Sequence, residues 1–433
     1  MHRCSSGLNF PVNSCQLLAH LRVFSDFRAV PLYKGAPHPQ FTRACIHVVQ
    51  YAPGLTSFSW ATAGLYQGLL VNILRILALG SGTTNRNRAG TILENASMLD
   101  DNDASNTNPK LLRLSLTEDG LSLTDAQLVQ RLGPLEHMAL HKPSTGATRA
   151  LVEWITSAAD PPLTSLTISN NYDLDAPLLE RILFNTPQLK SLSITNCLRI
   201  EPQWLFSIIS NTLLELESLA FTLPRDADVL SATFPSLPTL RHLSVLIEPP
   251  NEPDPDRHTH APTDPLAQRL FRHLLKAIQH VKLYSLTLRL ASHRTLTSKL
   301  LNALITTHGR TLRRLNLFKL AISAHGVADV VRHVSNLEQL SLELGGVLDD
   351  LDLIVEALPA AQHLHTLIDT SPTVSASRFV KSRALGRAQA IQLLEAGPVL
   401  RNVVSQQRNW AKEVVWTSGR RELSVSMRKV RTI

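Results

Sequence analysis

The sequence predicts an α/β fold, a right-handed solenoid with a parallel sheet on its concave side and helices on its outer side. Three observations lead to this prediction. At 433 residues the chain is longer than one compact core usually organises. Hydrophobic residues make up 44% of it and aromatic residues only 5%, so most apolar side chains are aliphatic. A phrase of the form Leu-x-x-Leu-x-aliphatic recurs along the chain, which is typical of stacked, similar units.

The recurring phrase sets the length of one unit. From residue 111 onward the distance between successive starts is 24 to 29 residues, with one exception of 43. Weaker copies begin at Leu18 and Leu55. We therefore expect nine to eleven units, one coil of the solenoid for each phrase. The main copies begin at Leu111, Leu135, Leu163, Leu189, Leu216, Leu240, Leu283, Leu312, Leu337 and Leu364.

Each phrase predicts a short strand. Counting from its first leucine, positions four and six lie on one face of an extended chain, and positions three, five and seven lie on the other. The segments that follow carry apolar residues three and four apart, which predicts helices. Pro177 and Pro202 suit a first helical turn, and Ser323 offers a capping hydroxyl. The clearest helices are predicted at Asp175–Phe184, Pro202–Ile209, Ser298–Ile305 and Val327–Val334.

A single unit of this kind is not stable alone, because both edges of its strand and one face of its helix are exposed. Stacking pairs the strands in a parallel sheet and buries the leucines in continuous rows. Each fully buried leucine contributes roughly 1.5 to 3 kcal/mol. Helices are about 10 Å wide, whereas strands lie about 4.8 Å apart, so the stack is expected to bend with the sheet on the inside.

The unit Leu189–Cys197 reads LxxLxIxxC, and it resembles the cysteine-containing and ribonuclease-inhibitor-like classes of leucine-rich repeat. The resemblance covers about residues 111–369. Chains of this style resemble fungal F-box and leucine-rich-repeat proteins. This resemblance implies that the solenoid recognises a substrate protein and that a ubiquitin-ligase adaptor is a second partner. The F-box itself is not detected, since no leucine-proline-x-glutamate opening precedes Leu55.

The phrases and the composition divide the chain into four parts. Residues 1–54 are interpreted as an N-terminal cap, a degenerate repeat or a truncated domain. Residues 55–110 form a degenerate repeat with a disordered loop at 80–109, which is rich in Gly, Asn, Ser and Asp. Residues 111–370 hold the repeats, with a proline-rich insertion at 248–265 that accounts for the spacing of 43. Residues 371–433 form a basic C-terminal cap.

The charge of the chain is concentrated in this cap. The formal net charge is +8, and residues 375–433 hold 12 Lys and Arg against 3 Asp and Glu, which leaves the remainder at minus one. A helix at Ala384–Glu395 and a hairpin joining residues 410–416 to residues 423–427 are predicted there. A nucleic-acid-associated protein that uses this basic segment is the alternative function. No nucleic-acid-binding motif accompanies the charge, so nucleic acid is not the expected partner.

Catalytic and cofactor patterns are not found. The sequence lacks GxxxxGK[ST], GxSxG, HExxH and CxxC, and Gly80-Ser81-Gly82 lacks the third glycine of a dinucleotide loop. His258 and His260 lie in the proline-rich insertion, where no fixed metal geometry is expected. We therefore expect no enzymatic activity, no cofactor and no metal.

The cysteines and the apolar runs bear on the compartment. Four cysteines without a CxxC pair, and an N-terminus without an apolar signal region, predict an intracellular protein that is cytoplasmic or nuclear. The most apolar run, Leu69–Leu79, spans 11 residues and includes Arg75, whereas a membrane helix needs about 20. It is interpreted as a buried helix, and no membrane association is expected.

Candidate binding residues lie at the positions that face away from the leucines. From the Leu111 unit to the Leu337 unit position five is always small, for example Thr167, Ser193 and Thr287. In the later units several of the residues at positions three and seven are charged, aromatic or larger polar residues, with Tyr284 and Arg313 at position two. Arginine and aromatic residues dominate the energetics of protein interfaces, so the concave face from Leu283 to Glu343 is the predicted protein-binding surface. An ordinary solvated sheet face is the alternative. The predicted residues are His242, Tyr284, Arg289, Arg313, Arg314, Phe318, Gln339 and Glu343.

Overall fold

The fold was examined in a computed structural model, and the chain forms two compact units, Met1–Leu213 and Leu214–Ile433. We call them unit 1 and unit 2 and describe each by itself. Most of the loop at 80–109 and of the insertion at 248–265 lies outside the described residues. The structure describes residues 20–24, 32–33, 36–37, 39–52, 54–61, 67–80, 111–158, 161–223, 237–247, 265–371, 385–406, 408–417 and 420–429.

Unit 1 is built on parallel strands, each of five residues and each pairing in register with the next. The earliest of them shows that the weak phrase at Leu18 forms a strand of the same sheet. A two-stranded antiparallel ribbon, β2 (Leu32–Tyr33) with β3 (Ala36–Pro37), follows the first parallel strand in sequence. The parallel strands are β1 (His20–Phe24), β4 (Ser57–Ala61), β5 (Arg113–Thr117), β6 (His137–His141), β7 (Ser165–Ser169) and β8 (Ser191–Thr195).

The helices of unit 1 alternate with these strands. The apolar run interpreted as a buried helix forms one that extends from Gln67 to Gly80, with Leu70, Ile73 and Leu74 fully buried. Asp175 caps another by accepting a hydrogen bond from the backbone N–H of Leu178. The helices are Pro39–Gln50, Gln67–Gly80, Leu123–Gln130, Thr145–Ser157, Ala176–Phe184 and Pro202–Thr212.

Unit 2 contains parallel strands and ends in an antiparallel hairpin. From β9 to β15 each strand pairs in parallel with the next, and β15, β16 and β17 pair antiparallel in that order. The hairpin predicted from the tail sequence is confirmed. The strands are β9 (Ser218–Leu223), β10 (His242–Ile247), β11 (Ser285–Thr295), β12 (Arg314–Ala321), β13 (Gln339–Leu342), β14 (Thr366–Asp369), β15 (Asn402–Ser405), β16 (Arg408–Thr417) and β17 (Arg420–Lys429).

The helices of unit 2 again lie between strands in sequence. The one predicted at Val327 begins three residues earlier because Ser323 caps it, accepting a hydrogen bond from the Gly326 N–H. Short 3₁₀ turns at Leu348–Asp350 and Leu358–Ala360 flank one helix. The α-helices are Pro265–Ala277, Ser298–His308, Ala324–His333, Leu351–Ala357 and Arg387–Ala396.

The leucine rows form the core, as the sequence predicts. Positions four and six are buried from strand to strand, for example Leu315 and Leu317 at 0% exposure. The first leucine of each phrase from Leu55 onward is buried as well, and it precedes the strand. The chain is therefore an α/β leucine-rich-repeat solenoid, in which repeated strand-and-helix coils share rows of buried leucines. Among the described residues no helix is both long and apolar enough to span a membrane.

The same turn follows several strands. The residue two places after position six has a left-handed backbone, with φ values of 48° at Glu118, 52° at Lys142, 54° at Asn170 and Asn196, and 58° at Lys319. This turn aims the backbone N–H at the next strand, where Lys142 N donates to Ser169 O at 2.7 Å and Asn170 N donates to Thr195 O at 2.9 Å. The turn therefore extends the pairing of neighbouring repeats beyond the strands.

A buried carboxylate replaces one leucine of the rows. Asp369 occupies position six of its phrase, in register with Leu342 on β13 and Ser405 on β15. Its side chain is 3% exposed. The oxygen Oδ1 accepts from Leu344 N, Ser371 N and Ser371 Oγ at 3.0, 3.0 and 2.5 Å, and Oδ2 accepts from Ser405 Oγ at 2.6 Å. These donors satisfy a charge that would otherwise be costly to bury.

Candidate protein-binding surface

The sheet of unit 2 has a face on which the side chains between the buried leucines lie. We call the part of this face on β10 to β13 the open face. Burial alternates along the strands, so Arg314, Asn316 and Phe318 on β12 are exposed or half-buried while their leucine neighbours are buried. The parallel register then forms cross-strand rows, with Ser285, Arg314 and Gln339 in one and Arg289 opposite Phe318 in another.

Arg289 and Phe318 are in direct contact on the open face. The guanidinium carbon Cζ of Arg289 lies 5.2 Å from the centroid of the Phe318 ring, which is a cation–π distance. Arg289 is exposed and Phe318 is half-buried. The ring therefore offers apolar area beside a positive charge, a combination common among residues that anchor partner proteins.

A second cation–π contact lies where the strands begin. Tyr284 at position two stands between two arginines, with Cζ of Arg241 at 5.4 Å and Cζ of Arg313 at 5.2 Å from its ring centroid. Arg313 also pairs with Glu338, whose Oε1 is 3.5 Å from Nη1. Tyr284 remains 38% exposed. This stack holds a tyrosine ring at a fixed place on the edge of the open face.

The floor between these contacts is a hydrogen-bonded polar strip. Asn316 Nδ2 donates to Thr287 Oγ1 at 3.0 Å, and Gln339 Nε2 donates to Asn316 Oδ1 at 3.1 Å. Ser341 Oγ donates to the same oxygen at 2.6 Å. Ser341 is consequently 1% exposed, although position five was expected to face solvent. The neighbouring Gln339 and Asn316 side chains occupy the space above it.

His242 lies on the same face, and the charge of Arg314 affects its pKa. Burial lowers the pKa of His242 below its ordinary value of 6.5, and the positive charge of Arg314 lowers it further, while Glu217 acts in the opposite direction. The neutral imidazole is therefore favoured. His242 thus contributes a neutral polar group to the face, whereas Arg314 contributes a charge.

The structure gives each predicted site residue a definite place. His242, Arg289, Arg314, Phe318 and Gln339 lie on the strands of the open face. Tyr284 and Arg313 lie one residue before their strands, in the stack at the edge, and Glu343 is half-buried just after β13. We call Arg289, Arg314 and Phe318 the patch. Arg241 was not among the residues predicted from sequence, although it occupies position two of its phrase, as Tyr284 and Arg313 do.

The corresponding face of unit 1 carries small hydroxyl side chains on β7 and β8. Its third, fifth and seventh positions on β7 and β8 are serine and threonine. His141 Nδ1 lies 2.8 Å from Ser169 Oγ, and burial lowers the pKa of His141. Among the described residues, no carboxylate is hydrogen-bonded to this imidazole, so the pair does not form a Ser-His-Asp arrangement.

Other chemistry in the described residues is structural. No group of three or more His, Cys, Asp and Glu side chains is placed there to hold a metal ion. Burial raises the pKa of the Cys197 thiol to about 11, and the sulfur donates to Ile168 O at 3.8 Å, so it is neither a thiolate nor a nucleophile at pH 7.

Two of the basic C-terminal residues have structural partners. Lys412 Nζ donates to the carbonyl oxygens of Leu394 and Gly397 at 2.8 and 3.2 Å, at the end of the helix Arg387–Ala396. Arg428 Nη2 lies 2.9 Å from Glu413 Oε1. Lys412 and Arg428 belong to the basic segment of the nucleic-acid alternative, and both have partners within the protein.

Comparison with known proteins finds similarity among solved structures. No protein-family model matches the chain, and no curated protein sequence matches it. It is similar to yeast Rad7 in its complex with Elc1, at 15% identity over 68% of this chain and 75% of that chain, with a TM-score of 0.43. It is also similar to an internalin (inlF) of Listeria monocytogenes, at 15% identity over 83% of each chain with a TM-score of 0.33.

A third similar structure is TLR13 in its complex with ssRNA13. The identity is 11% over 90% of this chain and 46% of that chain, with a TM-score of 0.38. At such identities and TM-scores, the three structures give no argument about the partner or activity of this chain.

Proposed function

We propose that this protein is a non-enzymatic binding scaffold whose open face in unit 2 holds a partner protein. The observation that carries the proposal is the Arg289–Phe318 pair, an exposed cation over a half-buried ring at 5.2 Å on an otherwise small and polar surface. Arg314 and the Arg241–Tyr284–Arg313 stack lie on the same strands or at their edge. Tyr, Phe and Arg placed together on one surface are the residue types that dominate interface energetics.

A finer version of the proposal concerns the cellular role. The LxxLxIxxC unit at Leu189–Cys197 and the irregular helices resemble fungal F-box and leucine-rich-repeat proteins, which supports substrate recognition in a ubiquitin-ligase context. In that role the open face holds the substrate and an intracellular ligase adaptor binds elsewhere on the chain. Co-purification of a Skp-type adaptor with the full chain is the expected result. Its absence, with a partner still bound to the open face, would leave the scaffold role without the ligase role.

The scaffold proposal predicts a loss of binding when the patch is removed. The triple substitution Arg289→Ser, Arg314→Ser and Phe318→Ser removes two charges and one ring from exposed or half-buried positions, so it leaves the leucine rows intact. Truncation of central interface residues of these types costs about 2 kcal/mol or more each. We expect at least a hundredfold weaker capture of the native partner by the full chain, measured by affinity capture and quantitative mass spectrometry.

A matched control removes the same residue types from another surface. Arg149→Ser, Arg181→Ser and Phe184→Ser also remove two charges and one ring, from exposed positions on helices of unit 1, and Phe184 is 76% exposed. This variant is expected to capture the partner as the native chain does. Equal capture by the patch variant and the native chain, with both folded by circular dichroism, would show that the partner binds elsewhere.

A further inference from the structure

We infer that the partner segment held by the open face is acidic, with two carboxylate side chains that bind arginines whose Cα atoms lie about 14 Å apart, and with an apolar residue near them. The inference rests on the proposed function and adds the chemistry of the partner to it. It follows from the charges of the open face, from the spacing of two arginines, and from the carboxylates beside them.

The two arginines of the patch are not neutralised within the described residues. Arg313 pairs with Glu338 at 3.5 Å. By contrast, no salt bridge to a carboxylate is found for Arg289 or for Arg314 in the described part of unit 2, and Arg289 contacts the Phe318 ring instead. Each guanidinium carries five N–H donors in a planar fork that matches a carboxylate. An acidic side chain would therefore find unused donors at both arginines.

The register fixes the distance between the two arginines. Arg314 lies opposite Ser285, and Phe318 lies opposite Arg289, so the two positions are four residues apart along neighbouring strands. At about 3.3 Å per residue and about 4.8 Å between strands, their Cα atoms are roughly 14 Å apart. That distance equals about four residues of an extended segment, or about nine residues of a helix. The half-buried Phe318 ring beside Arg289 favours an apolar residue near one carboxylate.

A peptide with separate carboxylates fits this face better than a nucleic-acid backbone does. Glu338 lies 3.5 Å from Arg313, and Glu343 follows β13 on the far side of the open face. A nucleic-acid strand carries a phosphate at every nucleotide, and it is held best by a continuous basic groove. On the open face the positive charges are separate and carboxylates lie beside them, so part of a phosphate backbone would be repelled.

The test is a selection of peptides on the full chain. A library of random 16-residue peptides is selected for binding, and the Asp and Glu content of the selected sequences is compared with that of the unselected library. We expect at least a twofold enrichment of acidic residues. The best sequence should bind at least tenfold more weakly to Arg289→Ser/Arg314→Ser and within twofold of native affinity to Arg149→Ser/Arg181→Ser. Replacing its acidic residues by Lys should restore binding to Arg289→Glu/Arg314→Glu.

The outcomes separate this inference from the function on which it rests. Selected peptides that need Phe318 but show no acidic enrichment would overturn the acidic partner and leave the binding face in place. Peptides that bind regardless of Arg289, Arg314 and Phe318, or a selection that yields no binder, would count against both. A single-stranded RNA 20-mer at 150 mM salt serves as the second ligand. Arginine-dependent RNA binding that displaces the selected peptide would overturn the inference in favour of nucleic acid.

Discussion

Replacement of Asp369 by leucine is expected to lower the free energy of unfolding of unit 2 by about 3 to 6 kcal/mol, although leucine is the residue that the repeat prescribes at this position. The native carboxylate accepts hydrogen bonds from two backbone N–H groups, those of Leu344 and Ser371, and from two serine hydroxyls. Leucine leaves these donors unpaired. Leu344 is 0% exposed and Ser371 is 7% exposed, so water does not readily replace the carboxylate.

Two further variants separate the loss of acceptors from a change of volume. Asp369→Asn keeps one acceptor oxygen and is expected to cost about 1 to 2 kcal/mol. Glu356→Ala removes an exposed carboxylate from the helix Leu351–Ala357 and is expected to change stability by less than about 0.5 kcal/mol. Denaturant unfolding of the full chain measures all three. Native stability in Asp369→Leu would mean that the carboxylate does not hold these donors.

Unfolding of unit 2 is also expected to depend on pH through His308. This side chain is 1% exposed, and burial lowers its pKa from 6.5 to about 4, although a hydrogen bond with the Val281 backbone acts in the opposite direction. Between these two pKa values the unfolded chain binds more protons than the folded one. Stability from the neutral imidazole is therefore complete above pH 6.5 and is lost as the pH falls towards 4, by about 2.5 kcal/mol between pH 7 and pH 4.5.

The difference between the native chain and His308→Leu isolates this contribution, because carboxylates titrate alike in both. We expect the stability of His308→Leu to fall by about 2.5 kcal/mol less than that of the native chain over the same pH interval. His325→Gln, which changes an exposed histidine on the helix Ala324–His333, should keep the native pH dependence. Parallel pH profiles for His308→Leu and the native chain would show that the imidazole is not buried in its neutral form.

Much of the fold could be predicted from sequence because its signals are local. The leucines at positions four and six define a strand by their two-residue period, and the spacing of the phrases shows that the strands recur. Proline and hydroxyl residues near helix starts are local as well, as at Pro202 and Ser323. Even the weak phrase at Leu18 corresponds to a strand, because β1 pairs in parallel with β4 although the phrase has few apolar residues.

The features that the sequence did not predict depend on contacts between repeats. The phrase places Asp369 on the leucine face, but nothing local shows what satisfies its carboxylate, since the four donors come from three segments that only folding brings together. The stack of Arg241 on Tyr284 joins residues separated by the proline-rich insertion, so the cross-strand register had to be known first. The burial of Ser341 likewise follows from Gln339 and Asn316 on two strands. The open face was predictable as a surface, but its internal contacts were not.

The alternation of buried and open positions on β12 is tested most directly by thiol labelling. Single cysteines are placed by Leu315→Cys, Asn316→Cys, Leu317→Cys and Phe318→Cys in a chain that carries Cys4→Ser and Cys15→Ser, since Cys45 and Cys197 are buried. Under native conditions we expect rapid labelling at positions 316 and 318 and protection of positions 315 and 317 until the unit unfolds. Rapid labelling at 315 and 317, or protection at 318 in the unbound chain, would contradict a leucine core beneath an open binding face.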